Sequence, residues 1–490
     1  MTALRSAPAD RAGLVSWPLT PIEELDLYFE SAANPSLIQL ETLAWGHLDR
    51  AVLESALAGA LAADPAARRH LAATSPWRRH LSWEAAAPGR DDGLVTVASW
   101  RSPGQLAALR EWLSAWPIPL RDRAVRLILA VGPDHDVVIL QTHHAAFDGI
   151  SSLALLTAAA AAYRERAGDV AGSGPRTSPP PEGPRPRAKG RRAVWTEERG
   201  SPREPKGAPV PGLRSEGAQR LSDEGRHRVK APGGERESRA ARLPGAVTRI
   251  AAQTAWPDRP GYGSVHRSVP VPRPARHGSG PYPTVNDLLV TALLATVDRW
   301  NAAHGRRGGR IRVCVPVNDR DPRSRWAGPG NQTRLIRVTA RGREPADPAR
   351  LLARVAAQTR AGKQRPPAGL DATSRLLATG WAPAVVKRAA ARLIRRAAGP
   401  VCTDTALLSN LGVLPSPPSF SGSGTEPLWF SGPAQMPRGL GIGAVTTAGQ
   451  LHLCVHYRHA LLDRAAAADF TALYCQAVGE LAGEPAGGPA

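Results

Sequence analysis

The sequence is poor in cysteine, with four in 490 residues, and in aromatic residues, which make up 5% of the chain. Four widely separated cysteines are too few for a disulfide framework or a CxxC zinc site. The first 25 residues hold no apolar run of signal-peptide length, and no stretch of 18 uncharged apolar residues occurs anywhere. These absences argue against secretion and membrane spanning, and we expect a protein of the reducing cytoplasm.

The formal net charge of +21 is unevenly distributed. Residues 1–169 carry −4, residues 170–245 carry +8 and residues 246–490 carry +17. Of the 63 basic residues 58 are arginine, a bias that fits GC-rich coding. Because no RNP-type aromatic motif, zinc-finger spacing or basic zipper accompanies the charge, we expect no nucleic-acid binding.

Composition divides the chain into three parts. In residues 170–245, 24 of 76 positions are Gly or Pro and hardly any periodic apolar pattern remains, which predicts a disordered linker. The flanking segments, residues 1–169 and 246–490, each mix helical and strand patterns and are predicted to be α/β lobes. Neither has a Gly-rich phosphate loop after its first strand, which argues against a dinucleotide-binding fold.

The most specific motif is QTHHAAFDG at residues 141–149, at the end of an apolar strand and ahead of a predicted helix. A neutral imidazole at His144 can take a proton from a hydroxyl or amine as that group attacks an acyl carbonyl. Asp148 suits an anchor that holds the loop through an arginine, and Gly149 leaves the backbone uncovered beside the reacting atoms. The alternative is a structural histidine pair at a strand end.

This motif resembles the HHxxxDG acyltransferase superfamily, whose members have the chloramphenicol acetyltransferase-like fold. They include nonribosomal peptide synthetase condensation domains, polyketide-associated acyltransferases and wax ester synthase/diacylglycerol acyltransferases. Further similar segments follow in the family's order across both lobes: WPLTPIEE at 17–24, TVNDLL at 284–289, PVNDR at 316–320, GN at 330–331 and SNLG at 409–412.

The resemblance implies two similar α/β lobes in a V, with the active site between them. His144 matches the family's general base, although in some members this histidine positions the acceptor or stabilises the tetrahedral intermediate. The motif aspartate, Asp148, would pair with Arg320, unless Arg320 is a solvated surface residue. His143 would be mainly structural. Asn331, Ser409 and Asn410 are candidate channel-lining residues, or ordinary turn residues.

The function that the resemblance implies is a stand-alone condensation-type acyltransferase. It would move an acyl group from a coenzyme A or carrier-protein thioester to a hydroxyl or amine acceptor, in specialised-metabolite or lipid biosynthesis. We expect no permanently bound cofactor, and any carrier protein would act in trans. The plant DFGWG motif is missing, and PLRDRA at 119–124 replaces the Pro-Leu-Trp segment of wax ester synthases. The alternative function is a non-catalytic scaffold that recruits acidic partners.

Two other patterns carry a functional alternative. His452, Cys454 and His456 alternate along a predicted strand, which suggests zinc, but no fourth ligand is apparent and we expect no metal. The helix predicted at 383–398 places Lys387, Arg388, Arg392, Arg395 and Arg396 on one face, opposite three apolar residues: Val386, Leu393 and Ala397. This face is either solvated or meets an acidic carrier, coenzyme A phosphates or, as a peripheral contact, an anionic membrane.

Overall fold

A computed structural model describes residues 15–31, 33–73, 75, 77–85, 93–172, 247–274, 282–306, 308–320, 330–341, 347–364 and 380–483. The predicted linker therefore lies outside the described residues, except that positions 170–172 end a long helix. The first lobe contains four α-helices within this part of the chain: α1 Pro21–Phe29, α2 Arg50–Ala62, α3 Pro103–Ala115 and α4 Gly149–Gly172. Its strands are β1 Ser16–Pro18, β2 Leu37–Trp45, β3 Arg69–Leu71, β4 Ser82–Ala85, β5 Val95–Ser99, β6 Val125–Val131 and β7 His135–His143.

The main sheet of the first lobe places strand β7 near its centre. Antiparallel pairing sets Leu37 of β2 opposite His143 of β7, and β6 pairs with the other edge of β7. Apolar side chains on one face of β6 and β7 pack against α2 and α4, while the opposite face meets α3. Successive strand residues point to opposite faces of the sheet, and helices cover both faces. This packing holds the end of β7 rigidly.

The described residues of the second lobe form four more helices: α5 Val285–Ala303, α6 Pro348–Gln364, α7 Ala384–Cys402 and α8 Arg464–Ala482. Its strands are β8 Tyr262–Pro270, β9 Arg310–Asn318, β10 Thr333–Arg341, β11 Ala406–Val413, β12 Leu428–Ser431, β13 Leu440–Thr447 and β14 Gln450–Arg458. Six of these strands form one sheet in the order β10-β9-β11-β13-β14-β8. Its core packs against α5, α6 and α8.

The two lobes share secondary structure. Strand β12 lies outside the six-stranded sheet of the second lobe. It pairs antiparallel with β2 of the first lobe, with Phe430 opposite Leu40. The first sheet therefore has the order β12-β2-β7-β6-β5. An isolated parallel bridge also joins Phe147 to Gly330, directly beside the HHxxxDG motif. Both the predicted α/β class and the two-lobe layout are confirmed, and the lobes meet where β7 ends.

Three arginines of the predicted basic face of helix α7 are exposed, as on a solvated face, but its lysine is not. Lys387 is fully buried on α7, where its Nζ lies 3.5 Å from Glu24 Oε2 and donates to the Arg79 carbonyl at 2.7 Å. Val386 and Leu393, expected on the buried face, are 39% and 68% exposed. Small residues make the contact with the first lobe instead, because Ala391 is buried in its core. The side chains of residues 395 and 397 lie outside the description.

Candidate active site

His144 follows strand β7 and lies at the boundary between the lobes. Its backbone N–H donates to the Ser36 carbonyl at 2.8 Å, which fixes the chain beyond the strand end. Its ring Nδ1 lies 3.2 Å from the Phe147 carbonyl oxygen. A carbonyl only accepts hydrogen bonds, so Nδ1 carries a proton in this contact, and in the neutral imidazole the lone pair is then on Nε2. The partly exposed imidazole is therefore held in the tautomer that a general base requires.

His143 has the opposite tautomer. The Ala145 backbone N–H donates to His143 Nδ1 at 3.2 Å, so the ring proton is on Nε2, which donates to Glu30 Oε2 at 3.0 Å. Burial of Glu30 opposes its ionisation, but its hydrogen bonds with His143 and with the Ser36 backbone N–H, together with the charge of Arg388, outweigh burial and lower the pKa of Glu30. His143 is 1% exposed and both of its ring nitrogens are occupied. These contacts support its predicted structural role.

Asp148 forms a buried ion pair with Arg320. Arg320 Nη1 donates to Asp148 Oδ2 at 2.6 Å, and Arg320 Nη2 donates to the Gly330 carbonyl at 2.9 Å. The same carboxylate accepts from the backbone N–H of Ser151 at 2.9 Å and of Gln332 at 3.0 Å. Arg320 is thus buried rather than solvated. The pair joins the first turn of α4 to the second lobe, and charge-assisted hydrogen bonds of this kind are strong.

Gly149 is closely packed by side chains of the second lobe. A Cβ built on Gly149 would lie 2.9 Å from Leu411 Cδ2 and 3.1 Å from two ring atoms of Phe430. A larger residue would therefore require these two side chains to shift. Gly149 itself is partly exposed, and the predicted role of an uncovered backbone beside the reacting atoms stays a prediction.

Asn331 lies beside the motif, together with a residue that the sequence patterns did not single out. Asn331 Nδ2 donates to Asp26 Oδ2 at 3.0 Å and to the His144 carbonyl at 3.4 Å. Burial raises the pKa of Asp26, although positive charge on His144 or His143, when either is protonated, and the Asn331 hydrogen bond oppose the shift. The available signal for Asp26 and Glu30 is their spacing of four residues at the end of α1, where Glu30 is the C-cap residue.

Ser409 and Asn410 lie on strand β11, opposite Gly443 and Ala444 of β13. Asn410 Oδ1 accepts from the Gly412 backbone N–H at 2.8 Å, which is local turn chemistry. The residue that follows them, Leu411, is the one that packs on Gly149. Strand β11 therefore passes directly beside the motif, and a channel-lining role for Ser409 and Asn410 stays a prediction.

The histidines of β14 serve the interior of the second lobe. Both ring nitrogens of His452 are occupied, by the hydroxyls of Ser268 at 2.7 Å and Thr447 at 2.8 Å, which leaves no lone pair for a metal. His456 Nδ1 lies 3.0 Å from the Gly432 carbonyl. Burial lowers the pKa of each ring to about 4 and raises that of the Cys454 thiol. Among the described residues, no cluster of three metal-ligating side chains occurs.

Comparison with known proteins identifies the fold. No protein-family model matches the chain. Two uncharacterized proteins from different strains of Mycobacterium tuberculosis are 28% identical over 469 residues, which cover 93% of this chain and 97% of each relative. Within the part of the chain that the structure describes, no helix is both long and apolar enough to span a bilayer.

The similar solved structures come from nonribosomal peptide synthetases. The starter condensation domain of rhizomide synthetase, crystallised as a mutant with C8-CoA and Leu-SNAC, has a TM-score of 0.56 at 15% identity and covers 96% of this chain and 95% of its own. The epimerization domain of tyrocidine synthetase B gives 0.54 at 16% identity, covering 97% and 98%. The EpoB cyclization-docking bidomain of Sorangium cellulosum gives 0.55 at 14% identity, covering 97% and 85%. The chain has the condensation-domain fold.

Proposed function

We propose that this protein is a stand-alone condensation-type acyltransferase, with His144 as the general base. The observation that carries the proposal is the contact between His144 Nδ1 and the Phe147 carbonyl, which makes Nε2 the proton acceptor of the neutral imidazole, on a partly exposed ring at the lobe boundary. Two features support it: the complete HHxxxDG pattern and the ion pair between Asp148 and Arg320, which holds the loop in place.

The proposed reaction moves one acyl group and no net proton. His144 Nε2 takes the proton from the acceptor hydroxyl or amine while that oxygen or nitrogen bonds to the thioester carbonyl carbon. The tetrahedral intermediate then collapses, the carbon–sulfur bond breaks, and the departing thiolate receives the proton from the imidazolium. Holding donor and acceptor in line contributes further, because orientation alone supplies several kcal/mol of barrier reduction.

The donor in this proposal is an acyl thioester of coenzyme A or of a carrier protein that acts in trans, and the acceptor is a small molecule. The proposed setting is specialised-metabolite or lipid biosynthesis in the cytoplasm. Support for a thioester donor comes from the similar rhizomide synthetase domain, which was crystallised with C8-CoA. The protein would need no permanently bound cofactor, because its own imidazole moves the proton.

The test measures thiol release from acyl-coenzyme A donors of several chain lengths with hydroxyl and amine acceptors. Acceptor-dependent release should fall by about 100- to 10,000-fold in His144→Ala, the range that general base catalysis supplies. The matched control is His47→Ala, which removes a half-exposed histidine bonded to Asp136 at the opposite end of β7. Equal release by the native protein and His144→Ala would reject the transferase and favour the scaffold alternative.

A further inference from the structure

A cavity of about 270 Å³ lies between helix α1, the segment after α3 and helix α7. Its inner wall is apolar, since Leu27, Ile118 and Leu120 line it and are buried, and Leu71 adds a partly buried side chain. Apolar side chains of this kind favour an apolar guest over water.

The outer wall of the same cavity is cationic. Arg388 and Arg392, one turn apart on α7, line it and are exposed. Among the residues that the structure describes, no carboxylate lies within ion-pair distance of either guanidinium. Glu30 is the one acidic residue of the lining, and its carboxylate is bonded to His143 and to the Ser36 backbone N–H. The two arginines therefore present positive charge at the opening of an apolar cavity.

We propose that this cavity binds an anionic amphiphile, with its apolar chain against the leucine wall and its phosphate or carboxylate between Arg388 and Arg392. Arginine suits this role because its planar guanidinium donates two parallel hydrogen bonds to such anions. Glu30 also connects the cavity to His143 of the motif. The inference that this amphiphile is a substrate rests on the proposed function, whereas its binding does not.

The experiment compares three probes by titration calorimetry on the full chain: dodecyl phosphate below its micellar concentration, dodecanol and inorganic phosphate. Dodecyl phosphate should bind at least 10-fold more tightly than either of the others. It alone has both an apolar chain for the leucine wall and a phosphate for the two arginines. The double variant Arg388→Ala/Arg392→Ala should lose about 10-fold in affinity for dodecyl phosphate and keep its affinity for dodecanol.

The matched control is Arg396→Ala, which removes another exposed arginine of α7 that does not line the cavity. It should bind dodecyl phosphate as the native protein does. Leu71→Trp, which fills the cavity from its wall, should weaken both dodecyl phosphate and dodecanol. If that variant does not fold, the arginine variants still decide. Unchanged dodecyl phosphate affinity in the double alanine variant, or equal loss in Arg396→Ala, would overturn the proposal.

Two further arms distinguish the source of the amphiphile. If lauroyl-coenzyme A competes with dodecyl phosphate, this result supports a phosphate-bearing thioester as the natural ligand. If phosphatidylglycerol vesicles compete, this result supports a lipid bound by its headgroup. Competition by neither would count against both sources and overturn the inferred biological ligand. If the protein binds dodecyl phosphate but releases no thiol, the proposed function is rejected and the cavity proposal is not. If thiol release depends on His144 but the protein binds no dodecyl phosphate, the cavity proposal is rejected and the proposed function is not.

Discussion

At the scale of single residues, the two adjacent histidines differ because their backbone neighbours differ. His143 receives a backbone N–H at Nδ1, which forces its proton to Nε2, whereas His144 faces a carbonyl with Nδ1, which forces the reverse. His143 then bonds to Glu30 and is buried, while His144 keeps a free electron pair at the lobe boundary. Two identical side chains thus acquire separate roles from the hydrogen bonds of one loop.

Asp26 gives a prediction at this scale. Replacing Asp26 by Asn keeps its shape but removes the carboxylate that interacts with His144, and so removes stabilisation of the imidazolium formed during proton transfer. We expect kcat to fall about 10-fold with little change in KM, which corresponds to ~1.4 kcal/mol of barrier. The raised pKa of Asp26 adds an acid limb to the native pH profile, since activity declines as this group gains a proton.

Steady-state kinetics from pH 4 to pH 8 check this prediction. In Asp26→Asn the acid limb due to Asp26 should disappear, because the variant has no carboxyl group to titrate at that position. Asp122→Asn, at an exposed aspartate of the loop before β6, serves as the control and should keep the native profile. A native pH profile in Asp26→Asn would show that Asp26 acts only in packing.

At the scale of elements, helix α7 shows why a two-faced pattern does not reveal its orientation. Periodicity correctly places Lys387 and Leu393 on opposite sides. In the folded protein Lys387 itself is buried, because Glu24 and the Arg79 carbonyl receive its ammonium group, while the arginines of the same face and Leu393 are exposed. Burying an ammonium is costly unless it is paired, so the contact depends on partners that lie more than 300 residues away.

Helix α7 therefore predicts an unequal response to two similar substitutions. Lys387→Met should destabilise the protein by about 3 kcal/mol, because it leaves the buried carboxylate of Glu24 without its cation. Arg396→Met, at an exposed position of the same helix, should change stability by less than ~0.5 kcal/mol. Urea unfolding of both variants measures the difference. Equal, small effects would mean that the buried ion pair contributes nothing to stability.

At the scale of the whole molecule, polar groups are buried where the two lobes meet. Glu41 of β2 is 1% exposed, and Arg110 of α3 donates to it from Nε at 2.9 Å. His266 of β8 lies on the other side of that carboxylate, with its Nδ1 3.8 Å from Glu41 Oε1. Burial, followed by the charge of Arg110, lowers the pKa of His266 to about 3. The interface therefore holds this histidine neutral.

Acidification is expected to destabilise the protein through these buried histidines. His266 binds a proton in the unfolded state near its ordinary pKa of 6.5 but in the folded state only near pH 3, so stability is lost as the pH falls below about 6.5. His452 and His456 act in the same direction, with folded pKa values of about 4. The unfolded state gains the protons, so its free energy falls relative to the folded state.

The variant His266→Gln isolates one of these groups. Between pH 6 and pH 5 the free energy of unfolding should decrease less steeply in the variant than in the native protein, by ~1 kcal/mol per pH unit. Chemical unfolding at both pH values gives the two slopes. The control Ala472→Ser changes an exposed residue that has no titratable group and should leave the native slope intact. Parallel slopes for native protein and His266→Gln would contradict the argument.

Local sequence determined most elements and part of the site. Strands β6, β7 and β14 and helices α5 and α8 coincide with continuous apolar runs or with clear helical periodicity in the sequence. The motif at residues 141–149 likewise identified its strand-end position from local pattern alone. Thr284 caps α5 through the reciprocal hydrogen bonds with Asp287 that a capping box provides.

Only the tertiary structure decided which distant residues meet. Asp26 and Glu30 join the histidines because α1 packs beside the end of β7, and Phe430 reaches Gly149 because β12 crosses into the first sheet. It also decided which face of α7 is buried. These outcomes depend on contacts between segments hundreds of residues apart, and a single sequence specifies local periodicity and capping but not the pairing of surfaces across lobes.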